Sequence, residues 1–81
     1  REPAKAIERH LSELKRVVPG IQGVYVNPKD ASIVLDVYIP VADAGTLENH
    51  RLAAERLLGH PVRINRLASQ IVQQPAAEET R

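Results

Sequence analysis

With 81 residues the chain has room for one small domain with a modest core, and the absence of cysteine excludes disulfides and thiolate metal sites as staples. Eleven Lys and Arg against ten Asp and Glu leave a formal net charge of +1, which gives little support to phosphate-driven nucleic-acid binding. No apolar run approaches the roughly 20 residues that span a bilayer, and no signal-peptide pattern is present.

The chain begins with Arg1 and holds no methionine, so we expect a piece excised or processed from a longer protein. Oligomerisation is the remaining common way for so short a chain to bury more apolar area.

Ile7, Leu11, Leu14 and Val18 recur at helical spacing and predict an amphipathic helix over 4–18. Lys5, Glu8, Arg9, Ser12, Glu13 and Arg16 cover its other faces, and Arg9 and Glu13, one turn apart, are placed to pair weakly. Pro19-Gly20 stops the helix, because proline lacks an N–H and disfavours helical geometry in the residue before it.

Ile21 to Asn27 reads as a first strand, with Val24 and Val26 on one side and Tyr25 on the other. Asn27-Pro28-Lys29-Asp30 is a turn by composition. Ser32 to Val41 alternates most clearly, placing Ile33, Leu35, Val37 and Ile39 on one face and Val34, Asp36 and Tyr38 on the other. The two runs predict an antiparallel hairpin.

A polar connection follows, in which Asp43 or Thr46 is suited to cap a second helix over 47–58 that stops at Gly59. Its apolar face carries Leu47, Ala54, Leu57 and Leu58, and His50 falls on that face too. Pro61 to Leu67 predicts a third strand, with Val62 and Ile64 inward and Arg63 and Asn65 outward. Residues 68–81 lose periodicity and read as a disordered tail, with Leu67 and Ile71 able to support one short helical turn before it. The ordered domain is therefore expected over 1–67.

Helix-strand-strand-helix-strand is an α+β order, and two amphipathic helices can cover only one face of a three-stranded sheet. The expected fold is a small ferredoxin-like two-layer sandwich. Its inward set is Val24, Val26, Ile33, Leu35, Val37, Ile39, Val62 and Ile64, and its open face carries Tyr25, Val34, Asp36, Tyr38, Arg63 and Asn65. An open face with both tyrosines is a partner surface or a ligand surface.

Enzyme signatures are missing: there is no glycine-rich phosphate loop, no Ser/His/Asp cluster, no H-E-x-x-H pair and no paired catalytic carboxylates. His10 lies beside the apolar stripe of the first helix, where peripheral packing accounts for it. His60 follows Gly59 at a helix end, where a cation suits the negative end of the dipole. Tyr25, Tyr38 and Arg63 on one face resemble the base-stacking arrangement of RNA-binding sheets, but tyrosine is favoured in any strand and Asp36 sits beside them.

From Ala6 to Asn65 the pattern resembles the cytoplasmic C-terminal domain of cation diffusion facilitators, membrane transporters that export divalent metals in exchange for protons. The resemblance rests on the opening helix with Val18-Pro19-Gly20-Ile21-Gln22-Gly23-Val24, the hairpin ending in Leu35-Asp36-Val37-Tyr38-Ile39, the helix beginning Leu47-Glu48-Asn49-His50-Arg51-Leu52-Ala53, and the close Gly59-His60-Pro61-Val62-Arg63-Ile64-Asn65. It implies a regulatory and dimerisation domain on the cytoplasmic side of the cell membrane that catalyses nothing itself. It also implies a homodimer without nucleic acid or small-molecule substrate, the divalent metal (zinc, manganese or iron) being cargo of the parent transporter.

In metal-sensing members, histidines occupy four places that here hold Tyr25, Tyr38, His50 and Asn65. A closed zinc site needs about four donors, and tyrosine with a pKa near ~10 is a poor one. We therefore expect no metal site, His50 and Asp36 being the remaining weak donors, and a dimer interface on the open face formed by Tyr25, Val34, Tyr38, Arg63 and Asn65. The alternatives are a small RNA-binding or ribosome-associated domain of KH-like order, which Gly20-Ile21-Gln22-Gly23 matches in spacing but not in context, and the soluble domain of another membrane protein.

Overall fold

The computed structural model describes residues 2–40 and 43–70. The expected order is found: α1 (Pro3–Val17), β1 (Ile21–Val26), β2 (Ile33–Val37), α2 (Ala44–Leu58) and β3 (Val62–Arg66). No helix among the described residues is long and apolar enough to cross a membrane.

Proline at the start of α1 costs nothing, because the first N–H groups of a helix have no internal partner. The helix is broken at His10, whose φ of −116° and ψ of 16° are not helical. Leu14 and Val18 are fully buried, but Leu11, expected on the same stripe, is 37% exposed. Leu11 lines a groove over β1, the outer strand of the sheet among the described residues. The expected Arg9–Glu13 pair gives way to His10 Nδ1, 3.8 Å from the Glu13 carboxylate.

Val18 N–H donates back to Leu14 O at 3.0 Å, and Gly20, at φ +87°, turns the chain into β1. β1 and β2 pair antiparallel from Ile21↔Val37 to Val26↔Ile33, with a bulge at Gln22 between Ile21 and Gly23. Asn27 N–H donates to Ser32 O and Ala31 N–H to Asn27 O, each at 2.8 Å, which closes the hairpin. The Asp30 carboxylate accepts from Ser32 N–H (3.0 Å) and Ser32 Oγ (2.7 Å). These bonds, with Arg63 beside the carboxylate, hold Asp30 below its ordinary pKa.

β2 ends at Val37 rather than extending to Val41, and Pro40, three residues on, has no N–H to continue a ladder. It lies in the middle of the sheet, with β3 parallel on its other side from Ile33↔Val62 to Val37↔Arg66. This position explains why Ile33, Val34, Leu35 and Val37 are all buried.

Asp43 is the residue that caps α2, its side chain accepting from Thr46 N–H at 2.8 Å, so the helix begins three residues before Leu47. Gly59, in the left-handed region at φ 72°, ends it and donates to Glu55 O at 2.8 Å. Glu55 accepts from Arg51 at 2.7 Å and from Val62 N–H at 3.0 Å, tying α2 to the start of β3. The core is Leu14, Val18, Ile33, Leu35, Val37, Ala54, Leu58 and Val62, with Val24, Ile39 and Ile64 packed partly against it. Val26, expected among the inward set, is only half-buried at the end of an edge strand.

The Thr46 hydrogen bond holds the Asp43 carboxyl below its ordinary value of 3.8, so the cap stabilises the folded chain above that pH. Its contribution is lost as pH falls through the depressed folded value. Asp43→Ala is expected to lower the thermal midpoint by several degrees at pH 7. In circular-dichroism melts, the gap between variant and wild type should close as pH falls below about 3.8.

Candidate functional site

The side of the sheet away from both helices carries two cross-strand rows. Tyr25, Val34 and Arg63 form one, and Gly23, Asp36 and Asn65 the next. Tyr38 follows on the same face of β2, with its N–H donating to Gly20 O at 2.9 Å. Tyr25, Val34, Asp36, Arg63 and Asn65, five of the six residues expected on the open face, stand in these two rows, and Tyr38 lies one residue beyond the end of β2.

Their surroundings differ. Val34 is only 7% exposed, because it sits on the central strand with Tyr25 and Arg63 on either side. The Arg63 guanidinium pairs with Asp30. Asn65 Nδ2 donates to Asp36 Oδ1 at 2.9 Å. Both polar pairs are satisfied within the chain, which leaves Tyr25, 48% exposed, as the large apolar group on offer. Gly23 leaves room for this packing: a Cβ there would meet Asp36 Oδ2 at 3.2 Å.

The histidines are scattered. His50 on α2 is half-buried, and its Nδ1 is buried with no hydrogen-bond partner among the described residues. Asp36 lies on the far side of the sheet from the helices, so it and His50 are not brought together. Among the described residues no group of three His, Asp or Glu side chains is placed to hold a metal ion. Of the four positions that the sequence resemblance singles out, Tyr25, Tyr38 and Asn65 share the open face while His50 belongs to the helical layer.

A second feature lies at the edge of the sheet and has no counterpart in the residue pattern. An apolar groove runs between α1 and the edge strand β1, lined by Ile7, Leu11 and Lys15 above and by Ile21 and Val24 along the strand. The bulge at Gln22 forms one end of the regular part of β1. The available signal was β1 itself, Ile-Gln-Gly-Val-Tyr-Val, which carries no charge. Gly20 to Gly23 spans the turn after α1 and the first half of β1, rather than a loop between two helices.

Comparison with protein-family models, with curated proteins and with solved structures finds no match to this chain.

Proposed function

We propose that this chain is a regulatory and dimerisation domain of a divalent-metal cation transporter, pairing with a second copy on the cytoplasmic side of the membrane and carrying a degenerate metal-sensing site. The observation that carries the reading is the helix-strand-strand-helix-strand sandwich with both helices on one face of the sheet. This is the arrangement implied by the resemblance to cation diffusion facilitators, and it leaves Tyr25 outward on a small domain that gains from burying more surface. The scattered donors support the loss of metal sensing: His50 and Asp36 lie on opposite sides of β2. Transport chemistry would reside in membrane-spanning parts of the parent protein, and this domain would act by association.

Sedimentation velocity over a concentration series, with and without zinc, tests both halves. The expected result is a concentration-dependent dimer whose formation does not require zinc, together with no stoichiometric micromolar zinc binding by calorimetry. A strict monomer at high concentration overturns the association reading. Stoichiometric micromolar binding of zinc or manganese that His50→Ala abolishes overturns the loss of the metal site.

A further inference from the structure

A three-stranded open sheet has two edges, and here they are treated differently. β3 at one edge carries Arg63 and Arg66, the kind of charge that discourages another strand from pairing. β1 at the other edge has no charged residue and no proline from Ile21 to Val26. Leu11 on the helical side and Tyr25 on the open side border it, and both are exposed.

The hydrogen-bond phase of β1 is set by Asn27 N–H donating to Ser32 O. Hydrogen-bonded pairs alternate along an antiparallel ladder, so Tyr25 opposite Val34 and Gly23 opposite Asp36 turn their backbone groups inward to β2. Val24 and Val26 turn theirs to the open edge. The bulge at Gln22 interrupts the regular edge on one side, and the Asn27–Ser32 turn closes it on the other.

We propose that β1 is a strand-pairing surface for a second copy of this chain, with Val24 opposite the partner's Val26 and Tyr25 opposite the partner's Tyr25. This two-fold register is the one that uses both outward residues of each strand, giving four backbone hydrogen bonds and a continuous six-stranded sheet. It sets the two tyrosines in a non-hydrogen-bonded pair, where Cα atoms lie about 4.5 Å apart and aromatic side chains gain most from each other. A self-match also suits the charge of the strand: β1 is neutral, so pairing with itself meets no like-charge repulsion, and a charged peptide would find no counter-charge in the strand. The α1–β1 groove, with Leu11 above it, faces the same edge and lies beside the incoming copy. The proposal rests on the dimerisation reading but moves the contact from the open face of Tyr25, Val34, Tyr38, Arg63 and Asn65 to the β1 edge, keeping only Tyr25 of that set.

Two variants test it. Val26→Pro removes an outward N–H while leaving every bond to β2 intact, because the Val26 backbone does not point there. Two of the four intermolecular bonds are lost, and the dissociation constant measured by sedimentation should rise about thirtyfold with an unchanged circular-dichroism spectrum. Tyr25→Cys introduces a lone thiol into a chain that has none, at a separation matched to a disulfide. Mild oxidation should convert it to a covalent dimer much faster than Leu52→Cys, which places the thiol at an exposed position on α2.

Dimers that persist in Val26→Pro, or Tyr25→Cys crosslinking no faster than Leu52→Cys, overturn the edge assignment while the dimerisation reading stands. A wild-type chain that remains monomeric at every concentration overturns both.

Discussion

Leu35→Ala is expected to cost about 3 kcal/mol of stability, a large share of what a domain this small possesses. Leu35 is fully buried in the middle of the central strand, between Val24 on β1 and Ile64 on β3. Both neighbours are anchored by ladders, so the sheet has little freedom to close around the lost side chain and most of the void remains. Urea unfolding followed by circular dichroism reads the effect as a lower midpoint with an unchanged slope. Val34→Ala, at the next residue of the same strand, is the informative comparison. Its side chain is buried by the flanking residues of the open face rather than by the helices, so its loss should cost less. Equal losses at the two positions would show that the helical layer is not the principal core.

Gly20→Ala is the second substitution with a large expected effect, and its cause is local. At φ +87° an L-residue is strained by about 1–3 kcal/mol wherever it stands. Here the added Cβ would also collide with the Tyr38 carbonyl oxygen, a backbone atom that cannot swing aside. Relief requires the α1–β1 turn to move away from the end of β2, weakening the Tyr38-to-Gly20 hydrogen bond. Gly59→Ala separates the two causes. It has the same sign of φ, at 72°, but nothing stands within 4 Å of a Cβ there, so it carries the backbone strain alone. The expected outcome is a clear loss at Gly59 and a distinctly larger one at Gly20, measured by thermal or urea unfolding. Equal losses would mean that the turn yields without cost.

Periodicity made most of the fold legible. β2 alternates Ile33, Leu35 and Val37 against Val34 and Asp36, and a two-residue repeat of that clarity leaves one register for the buried face. The end of α2 is legible because Gly59 acts through its own backbone, whereas its start, left between Asp43 and Thr46, is decided by the Asp43 side chain accepting from Thr46 N–H. Leu11 and Val26 follow the apolar pattern of their elements but are less covered than it implies, because each lies by the edge strand of the sheet. The tail is expected over 68–81; its part from 71 onward, including the Ile71 position of the expected helical turn, lies outside the described residues.

The candidate site divides in the same way. The shared face of Tyr25, Val34, Tyr38, Arg63 and Asn65 follows from strand parity, which each strand carries within itself. Their partners do not follow from it. Arg63 meets Asp30 across 33 residues of chain, and Asn65 meets Asp36 across 29, because β3 crosses over to lie parallel to β2. Local pattern sets the type and order of the elements and the face that each strand residue takes, since these depend on neighbours one to four positions away. The assembled sheet alone makes β2 central, lets the open-face polar groups satisfy one another, and leaves uncharged β1 at an edge among the described residues. Strand order and edge exposure are properties of the assembled sheet, and no residue of β1 records which side its neighbour takes.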